Sequence, residues 1–538
     1  MVYLIAVGGT GIRVMRSFLQ MCMAGCFCGK SFKVICVDSD ASNGDMKVYK
    51  DLAEHYSDFQ NNFVNNDNSD FAKVYFHEAK TQKAGIKTYG IWSPLENPND
   101  CLATILDRGA MQDAGDVFDF FYTSAEQRQG LDGGFYGHTS IGSLLMADAI
   151  LENGEYNQEW ANFFDLNGGG SRGDDKVFII GSVFGGTGAS GIPTIASIIR
   201  NTKGTEDMVI GTVFVMPYFN PGAAETDGSD SINSINGEAF NPKLRSAMMF
   251  YKDQVFTDKD RPVFNVVYMV GSNDEMIVPN TTSGPEQRNK GSYMEILSAS
   301  SLMDFLALDD FSFKVRFFNE EMSDVERLEI KDSDGKTVFD KLAEYLVFSI
   351  MYTKYFNRVF SDDCKVPGEW QKYLKKVINY EKIEGFAQER KIMAECAYDY
   401  IEWMYEICMA TKDTPGFDRG TFVKNTDNYE IKREFSESAD NIFKAKAEAI
   451  SKLYDPAYSI HSGISGFGIF KNSSYDLDKI EGISELLVEE KMPETHMKIR
   501  TATDIVAILS NEGFEEYRSD FATITLMNAV RGTVWEDR

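Results

Sequence analysis

Five short apolar runs, VYLIAV (2–7), FKVICV (32–37), KVFII (176–180), MVIGTVFVM (208–216) and FNVVYMV (264–270), each end at a turn and are separated by helical patterns. A run that is apolar at successive positions has no face to give to water. It is buried on both sides, as the strands of a parallel sheet with helices above and below are. The expected class is therefore α/β with a mostly parallel sheet. The informative loops are those after the C-terminal ends of the strands, where open α/β sheets bind ligands.

The third run leads into the bend FIIGSVFGGTGASGIPTIASIIRN (178–201). Gly185, Gly186, Gly188 and Gly191 permit positive φ and a close approach of ligand to backbone, and Thr187 and Ser190 add hydroxyls. Ile192, Ile195, Ala196 and Ile199 recur at helical spacing, which predicts a helix beginning near Pro193 with the bend at its N-terminus. Unpaired N–H groups and the helix dipole favour an anion there, phosphate above all; a tight strand-to-helix turn without a ligand is the plainer alternative.

With 538 residues the chain exceeds what one core usually supports, so two units are expected. A formal net charge of −28 argues against a broad nucleic-acid surface, because phosphate backbones are held by Lys and Arg. MVYLIAV reads as a strand rather than a leader, and the longest apolar stretch, 345–352, is too short to cross a bilayer. A cytoplasmic protein without a transmembrane segment is expected. Cys22, Cys26 and Cys28 lack a second Cys or His pair to complete a zinc site, so no metal site is assigned. The patterns HExxH and GxxxxGK[ST] do not occur.

Residues 287–308 form one weakly charged helical pattern of the kind buried between layers. Beyond it, 312–538 reads as mostly helical with a little β structure, with long helical patterns at 339–360, 388–412 and 436–454.

Taken in order, the loops resemble those of the tubulin/FtsZ superfamily. FGGTGAS (184–190) is similar to the signature phosphate loop GGGTGTG or GGGTGSG, with Phe184 and Ser190 replacing its first and last glycines. VGGTGIRVMRS (7–17) resembles the first loop, CVDSDA (36–41) the second, GHTSIG (137–142) the third and VMPYFNPG (215–222) the fifth. The resemblance covers residues 1–310 and implies a GTP-binding domain at 1–286, a central connecting helix at 287–311 and a divergent helical C-terminal region at 312–538. It also implies GTP or GDP with Mg2+ as ligands.

On that resemblance, Gly8, Gly9, Thr10 and Gly11 meet the phosphates from one side, and Gly185, Gly186, Thr187, Gly188, Ala189 and Ser190 from the other, with Arg13 beside them. Asp38 and Asp40 reach ribose hydroxyls or Mg2+, or else cap the following turn. Thr139 and Gly142 belong to the third loop, where His138 is a further candidate contact; Asn289 hydrogen-bonds the base and Tyr293 packs near it.

In the family, hydrolysis uses a carboxylate just past the central helix that completes the site of the next subunit. Asp309 and Asp310 in LALDDFSFKVRFF (306–318) stand at that place, without the glycine and asparagine of the FtsZ pattern GxxNxDxxD. The implied function is a GTPase that assembles with itself, head to tail, into filaments, its helical region meeting a further protein partner. A nucleotide-gated scaffold that does not polymerise is one alternative. The other is an NAD-binding Rossmann-type enzyme, since GGTGIRV followed by Asp38 or Asp40 approximates a dinucleotide fingerprint. A second glycine bend, at 184–190, is what a Rossmann domain does not need.

Overall fold

The computed structural model describes residues 1–318 apart from short internal stretches, of which 222–239 is the longest, a few positions between 338 and 349, and 386–412. The first half of the chain runs β1 (Val2–Val7), α1 (Gly8–Met23), β2 (Ser31–Val37), α2 (Gly44–Phe63), β3 (Lys73–Phe76), β4 (Ile91–Trp92), α3 (Leu102–Ile105), α4 (Ala114–Phe121), α5 (Ser124–Gln127), α6 (Thr139–Ile150), β5 (Leu151–Glu152), β6 (Glu155–Tyr156) and α7 (Gln158–Phe163). There follow β7 (Lys176–Ser182), α8 (Gly186–Asn201), β8 (Val209–Val215), β9 (Phe219–Pro221), α9 (Phe240–Phe250), β10 (Val266–Val270), β11 (Met276–Val278), α10 (Tyr293–Ala307), β12 (Lys314–Phe318) and α11 (Phe386–Lys412).

Eight strands form one sheet in the order β12-β10-β8-β7-β1-β2-β3, with β4 alongside the end of β2, and every pairing in it is parallel. The α/β expectation holds, and the reason is visible along β1. Leu4 and Ala6 enter a core shared with α1, α2, α10 and α11, while Tyr3, Ile5 and Val7 enter a second core beneath α6, α7 and α8. Period-two alternation between two buried faces gives the continuous apolar run. The chain leaves β1 toward β2 and leaves β7 toward β8 on the opposite side, so the sheet order reverses between β1 and β7. A reversal of that kind is where open α/β sheets are expected to take ligands, at the strands' C-terminal ends.

Two helix starts differ from expectation. α8 begins at Gly186, a full two turns before Pro193, which therefore lies inside the helix. Proline has no N–H to give the carbonyl four residues back. That carbonyl, of Ala189, accepts instead from the Tyr251 hydroxyl at 2.9 Å. Tyr251→Phe should thus cost about 1–2 kcal/mol in urea unfolding, by leaving a buried carbonyl unpaired. α10 begins at Tyr293 rather than 287, because Ser292 caps it, its hydroxyl accepting from the Met294 N–H at 3.3 Å.

The region after the central helix is joined to the same core where it is described. β12, at 314–318, pairs with β10 and ends the sheet, so sheet formation continues past 311. The helix expected at 388–412 is α11, whose Tyr400, Trp403 and Ile407 pack in the core with α1, α2 and α10. The pattern at 436–454 lies outside the described residues. No helix among the described residues is long and apolar enough to cross a membrane.

Candidate functional site

Three of the expected loops, with the segment ahead of α10, meet at the C-terminal edge of the sheet. A Cβ on Gly8 would lie 3.3 Å from the Gly188 nitrogen and from the Thr187 Cβ, so the first turns of α1 and α8 abut. A Cβ on Gly9 would reach only the Asn43 side chain, at 4.0 Å, which places the loop after β2 beside the first glycine loop. Asn289, ahead of α10, touches Asp45 at the start of α2. Neither α1 nor α8 has a side-chain cap or an acidic residue in its first turn. Two helix N-termini without side-chain caps therefore lie side by side, and their N–H groups and dipoles add in favour of an anion.

The glycines work differently from expectation. Gly8 takes φ +74°, but Gly185, Gly186, Gly188 and Gly191 are not among the positive-φ residues. A Cβ on Gly188 would collide with the Ser182 carbonyl oxygen, and one on Gly191 would sit 2.5 Å from the Val7 side chain. These two glycines let the bend fold back onto β7 and β1. The half-buried glycines are Gly9, Gly185 and Gly186, whereas Thr10, Gly11, Thr187 and Ala189 are buried.

Several side chains assigned to a ligand are committed elsewhere. Arg13 is buried: its Nε donates to Glu295 Oε1 at 3.0 Å, its Nη1 to Asp45 Oδ2 at 3.3 Å and its Nη2 to the Tyr218 hydroxyl. The Tyr218 hydroxyl in turn donates to Glu295 Oε1 at 3.0 Å. Arg13 is thus the centre of a charged cluster joining α1, α2, α10 and the loop after β8, rather than a cation beside phosphates. Burial acts against its charge, but Tyr218, Asp45 and Glu295 outweigh it and hold the guanidinium charged. Burial also raises the Asp45 and Glu295 carboxyls, with Arg13 opposing the rise.

Asn289 donates to Asp45 from its backbone nitrogen at 2.7 Å and from its side-chain amide at 3.0 Å, so one amide N–H is engaged within the protein. Tyr293 is only 3% exposed and packs in the core, not over an open pocket. The Ser190 hydroxyl donates back to the Gly186 carbonyl at 2.8 Å and lies against Gly142, so it locks α8 to α6. Thr139 is exposed at the start of α6, and His138 lies outside the described residues.

Asp38 and Asp40 are buried at the end of β2, with the buried Ser39 hydroxyl between them lacking a hydrogen-bond partner among the described residues. The Asp40 N–H donates to Asp38 Oδ1 at 3.3 Å, a local turn contact. Burial pushes the Asp38 carboxyl up to about 7. A carboxyl raised on folding contributes stability that is complete below its unfolded value and lost as pH climbs through the folded one. Ligand-free protein should therefore gain on the order of 2 kcal/mol between pH 8 and pH 5, and Asp38→Asn should flatten that slope in urea titrations. An unchanged slope in the variant would assign it to other groups.

Asp309 and Asp310 are at the other edge of the sheet. α10 starts beside Asp45 and runs back to the loop ahead of β12, whose first residue, Lys314, bonds to the Asp310 carbonyl at 2.7 Å. Strands of seven residues separate the two edges by about 20 Å. Both aspartates are exposed. Asp310 accepts from the Ser312 N–H at 2.9 Å and its hydroxyl at 2.6 Å, and these bonds, with Lys314, hold its carboxyl down at about 2. Asp309 and Asp310 cannot reach the glycine loops of their own chain.

Cys22 and Cys26 are buried and Cys28 partly so, all as free thiols. Among the described residues no group of three or more His, Cys, Asp or Glu is placed to hold a metal ion. Sequence reasoning passed over Asp45, Tyr218, Glu295 and Tyr251, which fix the loops from behind. Comparison of the chain with protein-family models, with curated proteins and with solved structures finds no match.

Proposed function

We propose that the chain is a guanine-nucleotide-binding protein of the tubulin/FtsZ kind that assembles head to tail and hydrolyses GTP between copies. The observation that carries this reading is the pair of helix N-termini without side-chain caps, α1 and α8, meeting at Gly8 and Gly188 where β1 and β7 end. One such terminus suits the diphosphate of a dinucleotide; two, on adjacent strands, suit a di- or triphosphate enclosed from both sides. The resemblance of the ordered loops supplies the guanine preference. The candidate carboxylates at the far edge, exposed and about 20 Å away, fit a site that a neighbouring copy completes.

Mg2+ accompanies the triphosphate in this reading. Asp38 and Asp40 offer at most two protein ligands, which suits an ion that keeps waters and phosphate oxygens around it. When bound it would supply charge neutralisation on the phosphates. The glycine loops bind and orient, and Asp309 of the adjoining copy, less engaged locally than Asp310, positions the attacking water.

The test is the nucleotide retained by purified protein, followed by calorimetry with GTP, GDP, ATP and NAD. GTP and GDP should bind tightest; tight NAD binding with none for GTP would overturn the reading in favour of a dinucleotide enzyme. Turnover per molecule should rise with protein concentration. The engagement of Asp310 by Ser312 and Lys314 favours a second reading, a nucleotide-gated scaffold. It wins if sedimentation shows a monomer at every concentration and GTP is bound but not hydrolysed.

A further inference from the structure

We infer that α11 is a clamp whose docking is coupled, through the Glu406 carboxylate, to the occupancy of the glycine loops. The inference rests on the nucleotide-binding reading above and assigns a regulatory role to the helical region.

α1 carries the first glycine loop at its start and two buried arginines along one face. Arg13 holds the first turn of α10 through Glu295, and holds Asn289 indirectly through Asp45. One turn on, Arg16 Nη1 donates to Glu406 Oε2 of α11 at 2.5 Å, with both side chains buried. The same Glu406 oxygen accepts the Gly291 N–H at 2.9 Å. One carboxylate thus ties α11 both to the helix behind the glycine loop and to the segment leading into α10.

The surroundings leave little room for that segment to shift alone. A Cβ on Gly291 would lie 3.3 Å from Glu406, Ile407 and Trp403, and the Trp403 indole donates to the Ser17 hydroxyl of α1 at 3.2 Å. Farther up α11, Asp399 pairs with His55 of α2 at 2.6 Å. A ligand that reseats α1 or residues 289–293 must strain or release these bonds. Buried charge pairs are either made or broken at high cost, so the response is two-state rather than graded. Linkage then requires the reverse: whatever holds or frees α11 changes ligand affinity by the same factor.

Hydrogen exchange on the full chain, with GTP, with GDP and without nucleotide, tests this. Nucleotide should slow exchange in 8–11 and 185–190 and change exchange in 386–412 at least several-fold. Protection of the glycine loops with α11 unaltered would overturn the clamp and leave the nucleotide reading standing. No protection of the loops by any nucleotide would overturn the nucleotide reading itself. Glu406→Gln keeps the shape and one acceptor for Gly291 but removes the charge; it should weaken GTP binding several-fold and abolish the response of 386–412 while 8–11 remains protected. Should that variant fail to fold, Ser17→Ala, which removes only the Trp403 acceptor, is expected to reduce the response of α11 in the same experiment, and an undiminished response there counts against the clamp.

Discussion

Gly9→Val is expected to lower guanine-nucleotide affinity at least about 100-fold, which is ~3 kcal/mol of binding free energy. Gly9 is not among the positive-φ residues, so a side chain meets no backbone penalty there. Among the described residues beyond its own helix, the atom near its Cβ position is the Asn43 amide nitrogen, at 4.0 Å. Glycine is the poorest ordinary helix former, and valine in the first turn of α1 should leave unfolding free energy within about 1 kcal/mol of the parent. The side chain would fill space that the described residues leave open and that bound phosphates would need on the nucleotide-binding reading. Calorimetry with GTP and urea unfolding of the same preparation give the two readouts. Undiminished affinity in the folded variant would remove the first loop from the site. Gly188→Val is a poorer test, because its Cβ would strike the Ser182 carbonyl and disrupt the bend with or without ligand.

Arg13→Leu should cost about 3–5 kcal/mol of stability, since it strands two buried carboxylates without their cation. Asp45 and Glu295 are 5% and 1% exposed, and Glu295 Oε2 has no hydrogen-bond partner among the described residues. Protonation of those carboxyls would limit the damage at low pH, so the loss should shrink as pH falls from 7 to 5 in urea titrations. Adding Glu295→Leu to the variant should recover part of the loss, because an apolar replacement of a whole buried pair is often tolerated. A loss below about 1 kcal/mol at pH 7 would mean that the cluster is wetter than its burial indicates.

The parallel sheet was legible because the strands buried on both faces carry few polar positions, such as Lys33 and Thr212, to confuse the pattern. β3, β4 and β12 were not, being short or edge elements such as KVYF and KVRFF that mix charge with apolar residues. The glycine loops were legible as loops, yet the reason for each glycine was not: whether a Cβ would meet ligand or Ser182 depends on how the bend folds over β7. Arg13 and Asn289 were assigned to the ligand because sequence order shows proximity to the loops but not direction. One signal was available. Glu295 is an acid in the first turn of a helix that has no Lys or Arg of its own, and a buried carboxylate calls for a cation, which Arg13 supplies.

The Arg16–Glu406 pair spans 390 residues of chain. At synthesis rates of about 5–20 residues per second, α1 emerges roughly 20–80 s before the helix that neutralises it. Through that interval the sheet's first helix has a cation and an apolar face prepared for a surface not yet made. The core that α1, α2 and α10 share with α11 can close only once the chain has been made as far as Ile407, and contacts of such sequence separation are the kind that slow folding.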